Sequence, residues 1–254
     1  KNPLLLHLHG GPGNSVMSYA DKFTSELQKG FVVVQWDQRE SGKTASLNPY
    51  NKPITVDLMV SDAVEMVQYL CARFSKEKIY LSGHSWGGFL ALLVASRHPE
   101  LFEACISMAP MVNQFESERL ALEWMTGKAK ASGNAEALSE LSKIQIPFMN
   151  GEQLYYHRRW LAFFNGRSPV SRNHVMKWSE KWLPLFNEGS AVNLFIISPE
   201  IACPVYFLVG STDRQASSEI TEKYYKTVKA EKKELFWFTN SGHSLNLTEP
   251  KKLQ

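Results

Sequence analysis

The sequence predicts an α/β fold in which helices flank a mostly parallel sheet and a helical segment interrupts the sheet. Short β-rich apolar runs alternate with amphipathic stretches up to about Pro110, and the alternation resumes at Cys203. This order is expected of parallel strands joined by crossover helices. The segment between contains four tryptophans and no aspartate, with turn clusters such as Gly133-Asn134. We therefore expect a core formed by residues 1–110 and 202–254, and a helical cap formed by residues 111–201.

Each element of the expected core rests on hydrophobic periodicity. Short β-rich apolar runs indicate buried strands, whereas apolar residues three or four positions apart form one face of a helix. The strands are predicted at Leu4–Leu8, Phe31–Trp36, Lys78–Ser82, Ala104–Ala109, Val205–Val209 and Glu234–Phe238. The helices are predicted at Ser18–Gln28, Asp57–Phe74, Phe89–Arg97 and Ser217–Val228.

Composition excludes several classes of protein. The 254 residues correspond to about 1.7 domains of ordinary size, and 44% of them are hydrophobic, which is enough for a sizeable core. The 28 basic and 25 acidic residues are spread along the chain and leave a net charge of +3, so no footprint for nucleic acid or an anionic membrane is expected. No apolar run approaches the roughly 20 residues of a transmembrane helix. We expect a small-molecule or short-peptide substrate; the oligomeric state is not indicated.

Cysteine usage indicates a reducing compartment. Cys71, Cys105 and Cys203 are too few and too scattered for a disulfide framework, and none forms a Cys-x-x-Cys pair. A cytoplasmic protein is expected. However, the first strand begins almost at residue 1, with no signal peptide or cap before it, so we expect the chain to be trimmed at its N-terminus. A lost secretion signal therefore stays open.

The sharpest motif is Gly83-His84-Ser85-Trp86-Gly87, which lies between a predicted strand and a predicted helix. In this context G-x-S-x-G predicts a nucleophile elbow, a turn so tight that the serine is exposed at a strained backbone angle and the glycines leave room for it. The alternative is a glycine-rich turn with an incidental serine, which the strand-to-helix context disfavours. An enzyme that opens epoxides or removes halides would need aspartate here, so Ser85 indicates acyl transfer.

Chain order selects the partners of this serine. A serine hydroxyl needs a histidine base oriented by a carboxylate, and after an elbow of this kind the order is serine, acid, histidine. Of the five aspartates only Asp213 follows Ser85, and of the seven histidines only His243 follows Asp213. Both are predicted in loops at the carboxyl ends of strands, where sites of open α/β sheets form. Glu219 and Glu222 are weaker candidates for the acid because they fall on a helix.

A glycine-rich loop, His9-Gly10-Gly11-Pro12-Gly13, follows the first strand. We assign the backbone amides of Gly11 and Trp86 to an oxyanion hole, where each donor is worth roughly 3 kcal/mol in the transition state. The alternative is a plain Gly-Pro turn. His9 is expected to brace this loop, and no metal site is predicted because no second ligand has suitable spacing with it.

With these residues in place, the chain resembles the proline iminopeptidase family of α/β-hydrolases. The resemblance covers about Leu4–Pro110 and Val205–Pro250 and is faint between them. It implies an α/β-hydrolase fold, a helical cap over the site, no cofactor, and attack on an acyl group beside a free amino terminus. It also implies a structural role for Arg39 as a core-facing ion pair. Three segments carry the resemblance: His9–Gly13, Trp36–Lys43 and Gly83–Gly88.

The family reads the substrate's amino group with cap glutamates, and an ammonium needs buried carboxylates. This implies substrate binding by Glu116, Glu123 or Glu152, with Glu118 as a further candidate, although most helical glutamates are merely solvated. Two departures leave the peptidase specificity open. Glu40 stands where the family usually has glycine, and Trp160-Leu161 replaces a Trp-Glu pair.

The leading hypothesis is therefore a serine hydrolase that acts through an acyl-enzyme as a proline iminopeptidase-like aminopeptidase on small peptides. A carboxylesterase, lactonase or amidase with an uncharged acyl substrate would use the same triad. A ligand-binding protein without turnover is a third class, which the complete set of serine, acid and base argues against. The large cap side chains could line an acyl pocket or form the cap's own core: Trp124, Met125, Trp178 and Trp182.

Overall fold

In the computed structural model, which describes residues 2–253, six strands form one parallel sheet, and two shorter parallel strands pair separately. The order of the large sheet is β2-β1-β3-β4-β6-β8. The prediction of a mostly parallel α/β sheet is confirmed, with strand boundaries within two residues of those expected from periodicity. The strands are β1 (Leu4–Leu8), β2 (Val32–Trp36), β3 (Ile79–His84), β4 (Phe102–Met108), β5 (Glu200–Ile201), β6 (Val205–Gly210), β7 (Lys229–Ala230) and β8 (Lys233–Phe238).

Helices cover both faces of the large sheet. On one face α3 (Val56–Phe74) packs against α4 (Trp86–Arg97), and α10 (Ser218–Thr227) packs against β6 and β8. Helix α4 is buried from Trp86 to Ala95, which its apolar sequence on every side requires. On the other face α1 (Asp21–Thr24) contacts α11 (Leu245–Thr248).

The segment between β4 and β5 is helical and forms five helices. Four of them begin at an asparagine and one at a serine, and in every case this residue's side chain accepts a hydrogen bond from a backbone N–H of the first turn. Such caps satisfy amides that have no partner within the helix. Within residues 2–253, no helix combines the length and apolar character needed to cross a lipid bilayer. The five helices are α5 (Gln114–Ala131), α6 (Ala135–Leu141), α7 (Gly151–Phe164), α8 (Arg172–Ala191) and α9 (Leu194–Ile197).

The helix expected over Ser18–Gln28 was wrong in its extent. The structure has only α1 there, followed by a 3₁₀ turn at Leu27–Lys29. Ala20 begins α1 and has no side-chain acceptor for the first amides, and the hydroxyl of Thr24 donates instead to the Ala20 carbonyl oxygen at 2.9 Å. Periodicity also did not predict the short helix α2 (Gly42–Leu47) or the pairing of β5 with β7.

Parallel strands bring the candidate residues to one edge of the sheet. β3 pairs with β4 up to His84 and Met108, and β6 pairs with β8 up to Gly210 and Phe238. Because the strands run in the same direction, the loops after β3, β6 and β8 all leave from the carboxyl edge. The next residues of these loops include Ser85, Asp213 and His243, so the fold gathers at one edge side chains that are far apart along the chain.

Candidate active site

Ser85 lies in a sharp turn between β3 and α4, with φ 58° and ψ −118°. A positive φ is unusual for a residue with a side chain, and such backbone strain is often found at functional sites. The flanking glycines make the turn possible. A Cβ at Gly83 would lie 2.0 Å from the Gly87 carbonyl oxygen, and a Cβ at Gly87 would lie 2.0 Å from the Leu8 carbonyl oxygen. The glycines of the motif are therefore required by close backbone packing.

The structure brings Ser85, His243 and Asp213 into one hydrogen-bonded chain. The Oγ of Ser85 is 2.9 Å from Nε2 of His243, and Nδ1 of His243 is 2.9 Å from Oδ2 of Asp213. The other carboxylate oxygen of Asp213 accepts from the amides of Gln215 and Ala216, at 2.9 and 3.1 Å. These amides fix the carboxylate, which in turn fixes the imidazole with Nε2 toward the serine. This geometry suits proton transfer from the hydroxyl to the histidine.

His84 contacts both the backbone and the ring of His243. Its Nε2 donates to the backbone carbonyl oxygen of His243 at 2.7 Å, and the two rings lie 5.0 Å apart. Burial and, to a lesser degree, the charge of the neighbouring His243 lower the pKa of His84 to about 4, so its ring is neutral at pH 7. The sequence motif gives no signal for this contact, because His84 occupies a variable position of G-x-S-x-G.

Two backbone amides near Ser85 have no hydrogen-bond acceptor among residues 2–253. Trp86 is the first residue of α4, so its N–H has no acceptor within the helix. Gly11 lies in the loop after β1 with φ 120° and lines the same cavity as Ser85. Among residues 2–253 neither amide donates a backbone hydrogen bond. Both are free to donate to an oxygen that develops charge beside Ser85.

Gln38 links the two segments that carry these amides. Its Nε2 donates to the His9 carbonyl oxygen at 2.8 Å, and its Oε1 accepts from the indole N–H of Trp86 at 3.3 Å. The backbone N–H of Gln38 also donates to Nε2 of His9, at 3.2 Å. The ring of His9 is buried, and burial lowers its pKa. His9 thus braces the glycine-rich loop as the sequence analysis expects.

The neighbours of Gln38 in the resemblance motif form structural contacts. Arg39 donates to both carboxylate oxygens of Asp62, at 2.6 and 2.5 Å, which is the ion pair expected of it. Glu40 has φ 59°, in the region that favours the glycine usual there in the family. Its carboxylate accepts from Nζ of Lys181 at 2.6 Å and from the amide of Tyr50. Glu40, which stands in place of the family's usual glycine, therefore links the core to helix α8.

A cavity of about 150 Å³ lies over Ser85 and His243. The helices after β4 supply half of the residues that line it. None of the described residues that line it is an aspartate or a glutamate. Those from α5, α7 and α8 are Gln114, Leu154, Arg158, His174, Val175, Trp178 and Phe186.

The structure does not bring the three cap glutamates of the sequence analysis to this cavity. Glu116 and Glu123 both pair with Arg119 on the surface, and their side chains are 40% and 62% exposed. Glu152 pairs with Arg172 and is 48% exposed. On helix α5, residues 116 and 123 thus face solvent, the ordinary environment of a helical glutamate.

Glu118 has a different environment. It is 1% exposed, and its carboxylate accepts from Nη2 and Nη1 of Arg158, at 2.5 and 2.7 Å, and from Nε2 of Gln114 at 2.7 Å. Burial acts to raise the pKa of this carboxyl, but the charges of Arg158 and His157 and the hydrogen bonds outweigh it, so the pKa is below the usual value. Glu118 does not line the cavity itself, but it binds the side chains of Arg158 and Gln114, which do.

The large side chains of the inserted helices divide between the cavity and the core. Trp178 lines the cavity, and its indole N–H donates to the Pro12 carbonyl oxygen at 2.9 Å. Trp182 lies against Gly13, where a Cβ would be 2.1 Å from the indole ring. Met125 is fully buried in the main hydrophobic core. Two tryptophans of α8 therefore fix the loop that carries Gly11.

Residues 2–253 contain no cluster of three or more histidine, cysteine, aspartate or glutamate side chains suited to holding a metal ion. Ser85, Asp213 and His243 all lie in loops at the carboxyl edge of the sheet, and the helices after β4 contribute residues to the cavity above them.

Comparison with known proteins gives consistent similarities. A family model described as alpha/beta hydrolase fold matches residues 3–250. The probable aminopeptidase YbaC of Bacillus subtilis (strain 168) is 33% identical over 276 residues, which cover 98% of this chain and 86% of that protein. The proline iminopeptidase of Thermoplasma volcanium is 35% identical over 94 residues, covering 37% of this chain and 30% of that protein. The crystal structure of a proline iminopeptidase-related protein from Thermus thermophilus has a TM-score of 0.61 at 25% identity, covering 99% of this chain and 86% of that one.

Proposed function

The chain belongs to the alpha/beta hydrolase fold family, and from this premise we propose that it is a serine hydrolase that cleaves acyl bonds through an acyl-enzyme on Ser85. The observation that carries the proposal is the continuous pair of 2.9 Å hydrogen bonds from Ser85 through His243 to Asp213. A buried chain of this kind, at the end of a strained strand-to-helix turn, activates a hydroxyl that is otherwise a weak nucleophile.

The reaction follows from the geometry. His243 Nε2 accepts the proton of Ser85 while Oγ attacks the acyl carbon, and Asp213 stabilises the imidazolium that forms. The amides of Gly11 and Trp86 donate to the oxyanion of the tetrahedral intermediate. The bond to the leaving group then breaks, and His243 gives its proton to the leaving group. Water next attacks the acyl-enzyme with His243 as base, which releases the acid and restores the serine.

For the substrate, we propose small peptides from which the amino-terminal residue is removed, including those with amino-terminal proline. Support comes from the 33% identity with a probable aminopeptidase and from the motifs around Gly11, Gln38 and Ser85. The cavity over Ser85, about 150 Å³, is smaller than the roughly 300–1,000 Å³ of sites for drug-sized ligands. A small acyl group fits such a space.

One observation favours a second candidate, an esterase, lactonase or amidase with an uncharged acyl group. No carboxylate is among the described residues that line the cavity over Ser85. An ammonium taken from water without a charged partner incurs a large desolvation penalty. The peptidase therefore has to accept the amino group through neutral acceptors such as the Gln114 amide oxygen, which is buried and has no hydrogen-bond partner among residues 2–253.

The two candidates are separated by substrate choice. Turnover of proline-naphthylamide is compared with turnover of p-nitrophenyl acetate and p-nitrophenyl butyrate, using the wild type and Ser85→Ala. Release of naphthylamine that Ser85→Ala abolishes supports the aminopeptidase, and ester turnover without release from any aminoacyl amide supports the second candidate. Ser96→Ala, at the other end of α4, is the matched control and should retain activity. Absence of all turnover would contradict a serine hydrolase.

A further inference from the structure

We propose that a cationic pocket beside His243 binds a carboxylate on the leaving group, so that the preferred substrates end in a free carboxylate one or two residues beyond the scissile bond. This inference rests on the proposed serine hydrolase function.

The pocket adjoins the cavity over Ser85. It measures about 270 Å³ and shares Arg158, Gln215 and His243 with that cavity. Ser85 and Gly11 line only the first cavity, whereas the second reaches Asp213 behind the histidine. Because the histidine gives its proton to the departing group, the leaving group lies on the histidine side of the acyl carbon. The acyl group thus occupies the first cavity and the leaving group enters the second.

The second pocket carries an excess of positive charge. Three arginines line it, namely Arg158, Arg167 and Arg214, and Asp213 is the one carboxylate among its described lining residues. That carboxylate is already engaged by the imidazole of the triad. Arg158 is neutralised from behind by Glu118, but Arg167 and Arg214 form no ion pair among residues 2–253. Two positive charges therefore face the pocket without an ionic partner in the part of the chain that the structure describes.

The two unpaired guanidinium groups are positioned by their surroundings. Arg214 lies over the ring of Trp124, with its central carbon 4.4 Å from the ring centroid. Arg167 lies against the loop of the catalytic histidine, because a Cβ at Gly242 would be only 2.2 Å from Nη2 of Arg167. The lack of a side chain at Gly242 leaves room for the guanidinium at this position.

These features fit a carboxylate. A guanidinium presents parallel N–H donors that match the two oxygens of a carboxylate, and such charge-assisted bonds are stronger than neutral ones. An extended chain advances about 3.3–3.6 Å per residue. A carboxylate bound in a pocket that includes the catalytic histidine is therefore separated from the scissile bond by one or two residues. Longer peptides would have to leave their next residues in solvent and lose this contact.

The test uses two matched substrate pairs, so that it does not depend on the choice between peptidase and esterase. One pair is proline-glycine and proline-glycinamide; the other is 4-(butyryloxy)benzoic acid and its methyl ester. Within the pair that the wild type hydrolyses, we expect kcat/KM to be about tenfold higher for the acid than for its neutral partner. The difference should lie mainly in a lower KM, because the neutral partner lacks one charged hydrogen bond to the pocket.

The ratio of kcat/KM for the acid to kcat/KM for its neutral partner should fall toward one in Arg167→Gln and in Arg214→Gln. It should fall furthest in the double variant. Arg167 and Arg214 are both exposed, so folding should be retained. Arg172→Gln, an exposed arginine of α8 outside both cavities, is the matched control and should keep the preference.

The outcomes are distinguishable. Turnover that depends on Ser85 but shows no preference for the acid, or a preference that survives in the double variant, would overturn the carboxylate pocket alone. If the wild type turns over none of the four substrates, and so does not differ from Ser85→Ala, the serine hydrolase function is overturned, and the role of the pocket with it.

Discussion

Replacing Glu118 by glutamine is the sharpest test of how the inserted helices support the site. The substitution keeps the shape of the side chain but removes its charge, leaving the Arg158 side chain, 14% exposed, without an ionic partner. Removing one member of a buried ion pair costs about 3–5 kcal/mol. Because glutamine can still form some hydrogen bonds to Arg158, we expect the free energy of unfolding to fall by about 3 kcal/mol at pH 7. For a chain of this size that lowers Tm by roughly 6–12 °C.

The loss should depend on pH in a defined direction. The pKa of Glu118 is depressed in the folded protein, so its charge stabilises the fold above the unfolded pKa of about 4.3. That stabilisation disappears as pH falls through the lower folded value. The difference in unfolding free energy between wild type and Glu118→Gln should therefore be constant from pH 8 to about pH 5 and should shrink in more acidic buffers.

Urea unfolding followed by tryptophan fluorescence measures both quantities. The matched control is Glu123→Gln on the same helix, because the Glu123 side chain is 62% exposed and pairs with Arg119 at the surface. A surface pair of this kind is worth about 0–1 kcal/mol. If Glu118→Gln is no less stable than Glu123→Gln at pH 7, or if its deficit grows in acid, the buried ion pair does not stabilise these helices as reasoned above.

Three further predictions concern His243, Asp213 and the glycine-rich loop. His84→Phe removes the hydrogen bond to the carbonyl oxygen of His243 and should lower kcat about fivefold with little change in KM, measured by steady-state kinetics. Asp213→Asn should lower kcat/KM by about 10⁴-fold while near-ultraviolet circular dichroism stays unchanged; activity within tenfold of wild type would argue against Asp213 as the acid. Gly13→Ala should destabilise the fold by about 1–3 kcal/mol, because its Cβ would overlap Trp182, whereas Gly127→Ala, with open space around it, should be neutral or stabilising in the same thermal melts.

The core of the site is predictable from sequence because local chemistry and chain order agree there. The strand-to-helix context of Ser85 and the position of Asp213 and His243 after successive strands leave few alternatives. The structure adds what depends on long-range packing. The contact of His84 with His243 joins residues 159 positions apart, and nothing in the local sequence indicates it.

The inserted helices show why residue type alone is a weak guide to a binding site. Four glutamates are candidates by charge, and three of them pair with nearby arginines at the surface. Glu118 is buried against Arg158 of α7, whereas the side chains of the other three are at least 40% exposed. The same packing brings Arg158 to the wall of both cavities, which a search for carboxylates does not find.

Helix length was also underdetermined by periodicity. Apolar spacing between Ser18 and Gln28 favours a helix, but the hydroxyl of Thr24 and the uncapped start of α1 limit it to one turn. Short elements such as α1 depend on capping and local side-chain hydrogen bonds more than on an apolar stripe.

The most direct test of the account is to identify the residue that an organophosphonate labels. The Oγ of Ser85, 2.9 Å from the base that activates it, should be the nucleophile. We predict one adduct per chain, mapped to Ser85 by peptide mass spectrometry, absent in Ser85→Ala and strongly slowed in His243→Ala. An adduct on another residue, or undiminished labelling of Ser85→Ala that still folds, would contradict the assignment.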